Sequence, residues 1–172
     1  MPAAQRASVL IVDDEASIRE SLRMILEFEG YRIEEAADGL EALRIVRERP
    51  PDAILLDIRM PEMDGLDALK TLRERGYEMP VLMISGHADV ASAVEATRRG
   101  AFDFFEKPLE RDRVLLSLRN AVEANRLQKE NRQAVAAVAA SDGFDLVGST
   151  AAMAKLRETI ELAAPTNATV LV

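Results

Sequence analysis

The 172-residue chain contains no cysteine, which excludes disulfides, thiolate metal sites and cysteine nucleophiles. Histidine occurs once, as His87, and lysine only as Lys70, Lys107, Lys129 and Lys155. A lysine at a chemically special place is therefore easy to see. No stretch approaches the ~20 apolar residues of a membrane span, and the first residues lack the apolar core of a signal peptide. A soluble cytoplasmic protein is the expectation. None of the eight glycines begins a G-x-x-x-x-G-K phosphate-binding loop, and no helix-turn-helix candidate is visible. Positive charge is in the minority, with 22 basic against 30 acidic residues and a net charge of −8. Such a chain is poorly suited to coating phosphate backbones. What remains is an ordinary globular mix, 48% hydrophobic and 30% charged. At roughly 150 residues per domain, the length gives one domain with a remainder.

Short apolar runs recur at Ser8–Val12, Tyr31–Glu34, Ala53–Leu56, Val81–Ile84 and Phe102–Phe105. Three are continuous Val/Ile/Leu/Met stretches, as expected of strands buried on both faces of a parallel sheet. The second and fifth are mixed and read as outer strands. Ile18, Leu22, Ile25 and Leu26 make an apolar helical stripe that Glu29 and Gly30 end. Leu66, Leu69 and Leu72 make another, closed by Gly76, and an alanine-rich third helix runs from Ala88 to Arg99 before Gly100. Alternating strands and helices predict an α/β fold with a doubly wound, five-stranded parallel sheet.

From Leu109 to about Val138 there is no Gly or Pro, and helix formers dominate. A helix of ~30 residues would span about 45 Å, too long to pack only on a compact domain. Val114, Leu115, Leu118 and Val122 suffice to cover a sheet. Beyond them Asn120, Ala124, Leu127, Asn131, Ala134 and Val138 form a thin heptad seam. This stretch is either a weak coiled-coil dimer seam or a solvated linker. Ala139–Gly143 reads as a break, and the 29 residues from Phe144 are too few to bury a core alone. The expected division is a first domain over 1–122, a helical linker over 123–143 and a domain fragment over 144–172.

Three carboxylates fall at the carboxyl ends of expected strands: Asp13 and Asp14 after the first, Asp57 after the third. In an open α/β sheet the binding crevice lies outside those ends, where strand order reverses. For the order 2-1-3-4-5 the reversal brings the two acidic loops to one cleft. Clustered carboxylates repel by several kcal/mol, so they call for a cation, and all-oxygen ligands favour Mg²⁺ or Ca²⁺. Ser85 after the fourth strand and Lys107 after the fifth converge on the same cleft. Three acids, a hydroxyl and an ammonium around a dication suit a phosphoryl group, with a carboxylate as nucleophile. Taken singly, each residue has a blander reading: aspartates at strand ends cap helices, and most lysines are solvated. Their conjunction at successive strand ends carries the weight.

On Val12-Asp13-Asp14-Glu15, Leu56 through Gly65, Ile84-Ser85-Gly86 and Phe104 through Pro108, the chain resembles the response-regulator receiver domains of two-component signalling. The resemblance implies a flavodoxin-like receiver with Asp57 as phospho-acceptor and Mg²⁺ as cofactor. The ion would be held by Asp14, Asp57, the backbone carbonyl of Arg59 and, through water, Asp13. Lys107 would pair with the phosphoryl group, Ser85 would turn toward it, and Phe104 would be the aromatic switch, acting by packing because it has no hydroxyl. The family's Lys107–Pro108 bond is cis. His87 and Arg59 stand where loss of the phosphoryl group is tuned; as a phosphodonor His87 is ill placed, in a loop. A histidine kinase is the implied partner. The chain would be a signalling protein that catalyses only its own phosphoryl transfer and dephosphorylation.

Leu146 through Ser149, Met153, Leu156-Arg157, Ile160, Ala164-Pro165 and Ala168 through Val172 resemble the start of the AAA+ module of sigma-54-dependent transcription activators. That resemblance implies a homodimer whose contacts with sigma-54 RNA polymerase and DNA come from other parts of a longer protein, without a membrane role. Two alternatives stay open. One is a Mg²⁺-dependent small-molecule phosphatase working through an aspartyl-phosphate; against it, Asp13 and Asp14 are adjacent rather than spaced as D-x-D. The other is a stand-alone receiver adaptor.

Overall fold

The structure, a computed structural model, describes residues 6–86 and 90–141, with side chains to 137. The expectations for His87 and for residues 144–172 fall outside the described residues. Among the described residues five strands and five helices alternate: β1 Ser8–Val12, α1 Ala16–Phe28, β2 Arg32–Ala36, α2 Gly39–Glu48, β3 Ala53–Asp57, α3 Gly65–Glu74, β4 Val81–Ser85, α4 Val90–Arg98, β5 Asp103–Glu106 and α5 Arg111–Ser141. All strands are parallel in the order β2-β1-β3-β4-β5. The doubly wound sheet expected from the sequence is therefore present.

Alternation along the inner strands feeds two separate cores. Leu10 and Val12 of β1, with Ile54, Leu56, Val81 and Met83, pack under Leu43 and Val46 of α2 and Leu69 and Leu72 of α3. Val9 and Ile11, with Leu55, Leu82 and Ile84, pack under Leu22 and Leu26 of α1 and Val114 and Leu118 of α5. β1, β3 and β4 are buried at every position, which is why they read as continuous apolar runs.

Several element limits differ from the sequence reading. β2 starts after Tyr31 and runs to Ala36 because its register follows β1, with Ser8 opposite Arg32 and Val12 opposite Ala36. β5 likewise begins at Asp103, opposite Leu82. Asp57 and Ser85 are the last residues of their strands rather than the first of the following loops. The sequence pattern assigns no residues to α2. Its start is fixed by Asp38, which accepts from the Glu41 amide at 2.8 Å, while Glu41 reaches back to the Ala37 amide at 2.9 Å. That reciprocal pairing is a capping-box arrangement. Gly30, Gly76 and Gly100 have φ of +91°, +79° and +84° and close α1, α3 and α4 as expected.

Two arginines tie the loops around α4. The Arg73 guanidinium donates to the carbonyls of Tyr77, Met79 and Gly100 at 2.9, 3.1 and 2.9 Å. Arg99 donates to the Leu66 carbonyl at 2.9 Å and to Glu95 at 2.7 Å. Of α4 itself, only Ala96 is buried. The chain divides into two compact units, Met1–Lys129 and Glu130–Val172.

Candidate functional site

At the carboxyl end of the sheet, β1 delivers Asp13 and Asp14, β3 ends on Asp57, β4 ends on Ser85, and β5 leads into Lys107. Register holds them level: Val12 lies opposite Leu56, Asp57 opposite Ile84, and Ser85 opposite Glu106. Asp13, Asp57 and Ser85 are buried, and Asp14 is exposed. One carboxylate oxygen from each of Asp13, Asp14 and Asp57 lies within 4.8 Å of the others. Lys107 bridges two of them, its Nζ standing 2.9 Å from Asp13 Oδ2 and 3.2 Å from Asp57 Oδ1. The Lys107–Pro108 bond is cis.

The cluster is short of positive charge. Asp13 Oδ2 and Asp57 Oδ1 meet Lys107 as ion pairs, but neither buried oxygen accepts a well-directed hydrogen bond. Burial, together with the charges of Asp13 and Asp14, pushes the Asp57 carboxyl up to about 6 although Lys107 pulls it down. Burial alone would lower Lys107; the Asp13 and Asp57 carboxylates outweigh it and hold the ammonium above its ordinary value. At an effective dielectric near 20, each pair of carboxylates about 5 Å apart repels by roughly 3 kcal/mol. A small, hard dication with oxygen ligands would relieve that repulsion.

The loop after β3 closes tightly beneath Asp57. Gly65 donates its amide to the Ile58 carbonyl at 2.8 Å, and a Cβ on Gly65 would collide with the Asp57 backbone carbonyl. Only glycine lets α3 begin this close. Glu62 in the same loop has φ of +63°, a conformation uncommon for a non-glycine residue. Arg59 is exposed two residues beyond Asp57. Phe104 is half-buried against the α2/α3 core, and its carbonyl accepts from Arg113 at 3.3 Å.

Two residues near the cluster had no assigned part in the sequence reading. Glu15 Oε1 stands 3.4 Å from Lys107 Nζ, and its amide donates to Asp13 Oδ1 at 2.9 Å. Arg19 donates to the Asp13 carbonyl at 2.6 Å. Glu15 adjoins the acid pair and Arg19 lies one helical turn on, but nothing in their spacing separates them from a helix start.

A model of the response regulator receiver domain matches residues 9–119. The chain belongs to the response regulator receiver family. Receiver domains bind Mg²⁺ at an acidic aspartate cluster, and Asp13, Asp14 and Asp57 are grouped in that way here. The C4-dicarboxylate transport transcriptional regulatory protein DctD of Rhizobium meliloti (strain 1021) is 38% identical over 166 residues, covering 96% of this chain and 36% of that protein. NtrX from Brucella abortus, in its crystal structure, is 40% identical, with a TM-score of 0.69 over 96% of this chain and 36% of its own. A receiver domain from Methanospirillum hungatei JF-1 aligns with a TM-score of 0.68 at 29% identity, covering 72% of this chain and 99% of its own. This receiver chain thus spans about a third of the length of DctD. Membership in the family does not favour the phosphatase alternative. Among the described residues, no helix of the receiver is long and apolar enough to cross a membrane.

Proposed function

We propose that this receiver takes a phosphoryl group onto Asp57 from the phosphohistidine of a histidine kinase, and so controls the assembly of a sigma-54-dependent transcription activator. The observation that carries the reading is Lys107 drawn between two buried, incompletely satisfied carboxylates, Asp13 and Asp57. With its pKa at about 6, Asp57 is largely ionised at neutral pH and available as a nucleophile. Its carboxylate attacks phosphorus, the bond between phosphorus and the kinase imidazole breaks, and the histidine departs as the leaving group. Mg²⁺, held by Asp13, Asp14, Asp57 and the Arg59 carbonyl, would supply the positive charge that offsets the phosphoryl oxygens. Lys107 shifts its pairing from Asp57 to a phosphoryl oxygen, and the Ser85 hydroxyl donates to another. Half-buried Phe104 then repacks against the core and passes the change to β5 and α5.

The activator part of the reading rests on the likeness to DctD and NtrX, which extends over nearly the whole chain. On this reading, residues 1–122 are the receiver, 123–143 a dimerising linker and 144–172 the beginning of an AAA+ domain. The chain acts in the cytoplasm as a homodimer. Sigma-54 RNA polymerase and DNA are engaged by other segments of a longer protein. To swing a switch from 1:99 to 99:1, the phosphoryl group must favour the active state by about 5.5 kcal/mol.

The test is phosphoryl uptake from acetyl phosphate with Mg²⁺, followed by sedimentation. Asp57→Asn is expected to abolish uptake and to uncouple the oligomeric state from the phosphodonor. Uptake by Asp57→Asn at the wild-type level overturns the reading.

A further inference from the structure

At the amino end of the sheet, opposite the acidic cleft, a second aspartate gathers a different set of partners. Asp52 Oδ2 accepts from the amide and hydroxyl of Ser8 at 2.9 and 3.2 Å, and Asp52 donates its own amide to the Ser8 carbonyl at 2.8 Å. Those bonds knit the loop before β3 to the first residue of β1. Its remaining capacity is taken by α5. Lys129 Nζ donates to Asp52 Oδ1 at 2.8 Å, and Asn125 Nδ2 to the Asp52 carbonyl at 2.8 Å. On the same helical face, Gln128 donates to Glu78 in the loop before β4 at 2.8 Å.

These contacts lie past the point where apolar packing stops. Val114, Leu118 and Ala121 are the buried apolar residues of α5. From 123 to 137 the only buried residue is Asn125. At about 100° per residue, Asn125, Gln128 and Lys129 continue the stripe of Val114, Leu118 and Ala121 in polar form. Asn120, Ala124 and Leu127 lie about 90–150° round the helix from the centre of that stripe and are exposed. The first compact unit ends at Lys129, the last residue of this cluster.

We propose that Asn125 and Lys129, anchored on Asp52, form a polar clamp that fixes the rotational phase of α5 where it leaves the sheet, holding the face of Asn120, Ala124 and Leu127 outward. Apolar packing sets the helix as far as Val122; hydrogen bonds to the loops before β3 and β4, chiefly to Asp52, set the next two turns. Such contacts are directional, and they can be undone without exposing apolar surface. The clamp does not depend on phosphotransfer. Only its use, presenting that face to a second copy of this chain, rests on the dimer proposed above.

The experiment is hydrogen exchange read by mass spectrometry on the full 172-residue chain, comparing wild type with Asn125→Ala/Lys129→Ala. Alanine is at least as good a helix former as asparagine or lysine, so a propensity effect alone would raise protection. The clamp predicts the opposite: protection of residues 123–129 falls at least tenfold, while β1, β3 and β4 exchange as in wild type. Unchanged protection at 123–129 overturns the proposal. A uniform loss across the sheet also overturns it, since the two side chains would then contribute only general stability. Phosphoryl uptake is measured on the same samples, so a failed receiver reading and a failed clamp give different results.

Discussion

Asp52 and Asp57 bracket β3, one just before its first residue and one as its last, and their surroundings oppose each other. At Asp52, burial raises the carboxyl, but Lys129 and Ser8 outweigh it and hold the pKa below the ordinary value. At Asp57, burial dominates, two further acids add to it, and the pKa rises to about 6. One carboxylate is surrounded by donors; the other shares a single ammonium with a neighbouring acid and keeps a buried oxygen without a directed hydrogen bond. Stability accounts for the first arrangement. The second costs stability, and such costs concentrate where a ligand or a reaction is to be met.

The contrast can be broken most forcefully at Lys107. Lys107→Ala leaves two buried carboxylates facing each other and is expected to lower unfolding free energy by about 3 kcal/mol at pH 7 without divalent ions. Millimolar Mg²⁺ should restore more stability to this variant than to wild type, as read by thermal denaturation. An equal response of the two proteins would mean that Lys107 and the ion do not act on the same charges.

Asp57→Asn should have the opposite sign. The folded pKa of about 6 lies above the ordinary aspartate value of 3.8, so the folded state holds the proton more tightly than the unfolded chain. The favourable contribution of protonated Asp57 is complete below about pH 4 and disappears as pH rises through 6. Asp57→Asn is therefore expected to be more stable than wild type above pH 6, by roughly 2 kcal/mol. The gain should shrink to nothing near pH 4, as chemical denaturation at several pH values would reveal.

At the other end, Asp52→Ala removes an acceptor from Ser8 and Lys129 and should destabilise by about 1–2 kcal/mol. Its pH dependence runs the other way. Asp52 is held low, so its contribution is present at neutral pH and is lost as pH falls through the lowered folded value. Asp52→Ala and Asp57→Asn curves that moved in the same direction would erase the distinction between the two ends. The smallest effect is expected at Glu62, where φ is +63°. Glu62→Gly should relieve the left-handed backbone and raise stability by less than about 1 kcal/mol, offset in part by the added freedom of the unfolded chain.

The sheet was legible from sequence because β1, β3 and β4 are buried at every position and must be apolar throughout. The cleft was legible for a related reason. Chemistry-bearing residues follow such runs directly, and the strand order then places Asp13, Asp57 and Lys107 together. α2 is harder to read because Leu40 on its exposed side blurs the stripe of Ala42, Leu43 and Val46; its clearest signal is Asp38 followed three residues later by Glu41. The Asp52 cluster left no trace that could be read in advance. It joins residues 44, 73 and 77 positions apart, and each of its side chains taken alone looks like ordinary solvated polarity.

The arginine ties around α4 determine how that helix can respond to events in the cleft. Its far end is pinned, through Arg99 to the Leu66 carbonyl and through Arg73 to Gly100. Its near end carries exposed Val90 and Val94 over a single buried alanine. Loss of either guanidinium should therefore loosen the last turn of α4 first, and a probe beside Arg98 would register it.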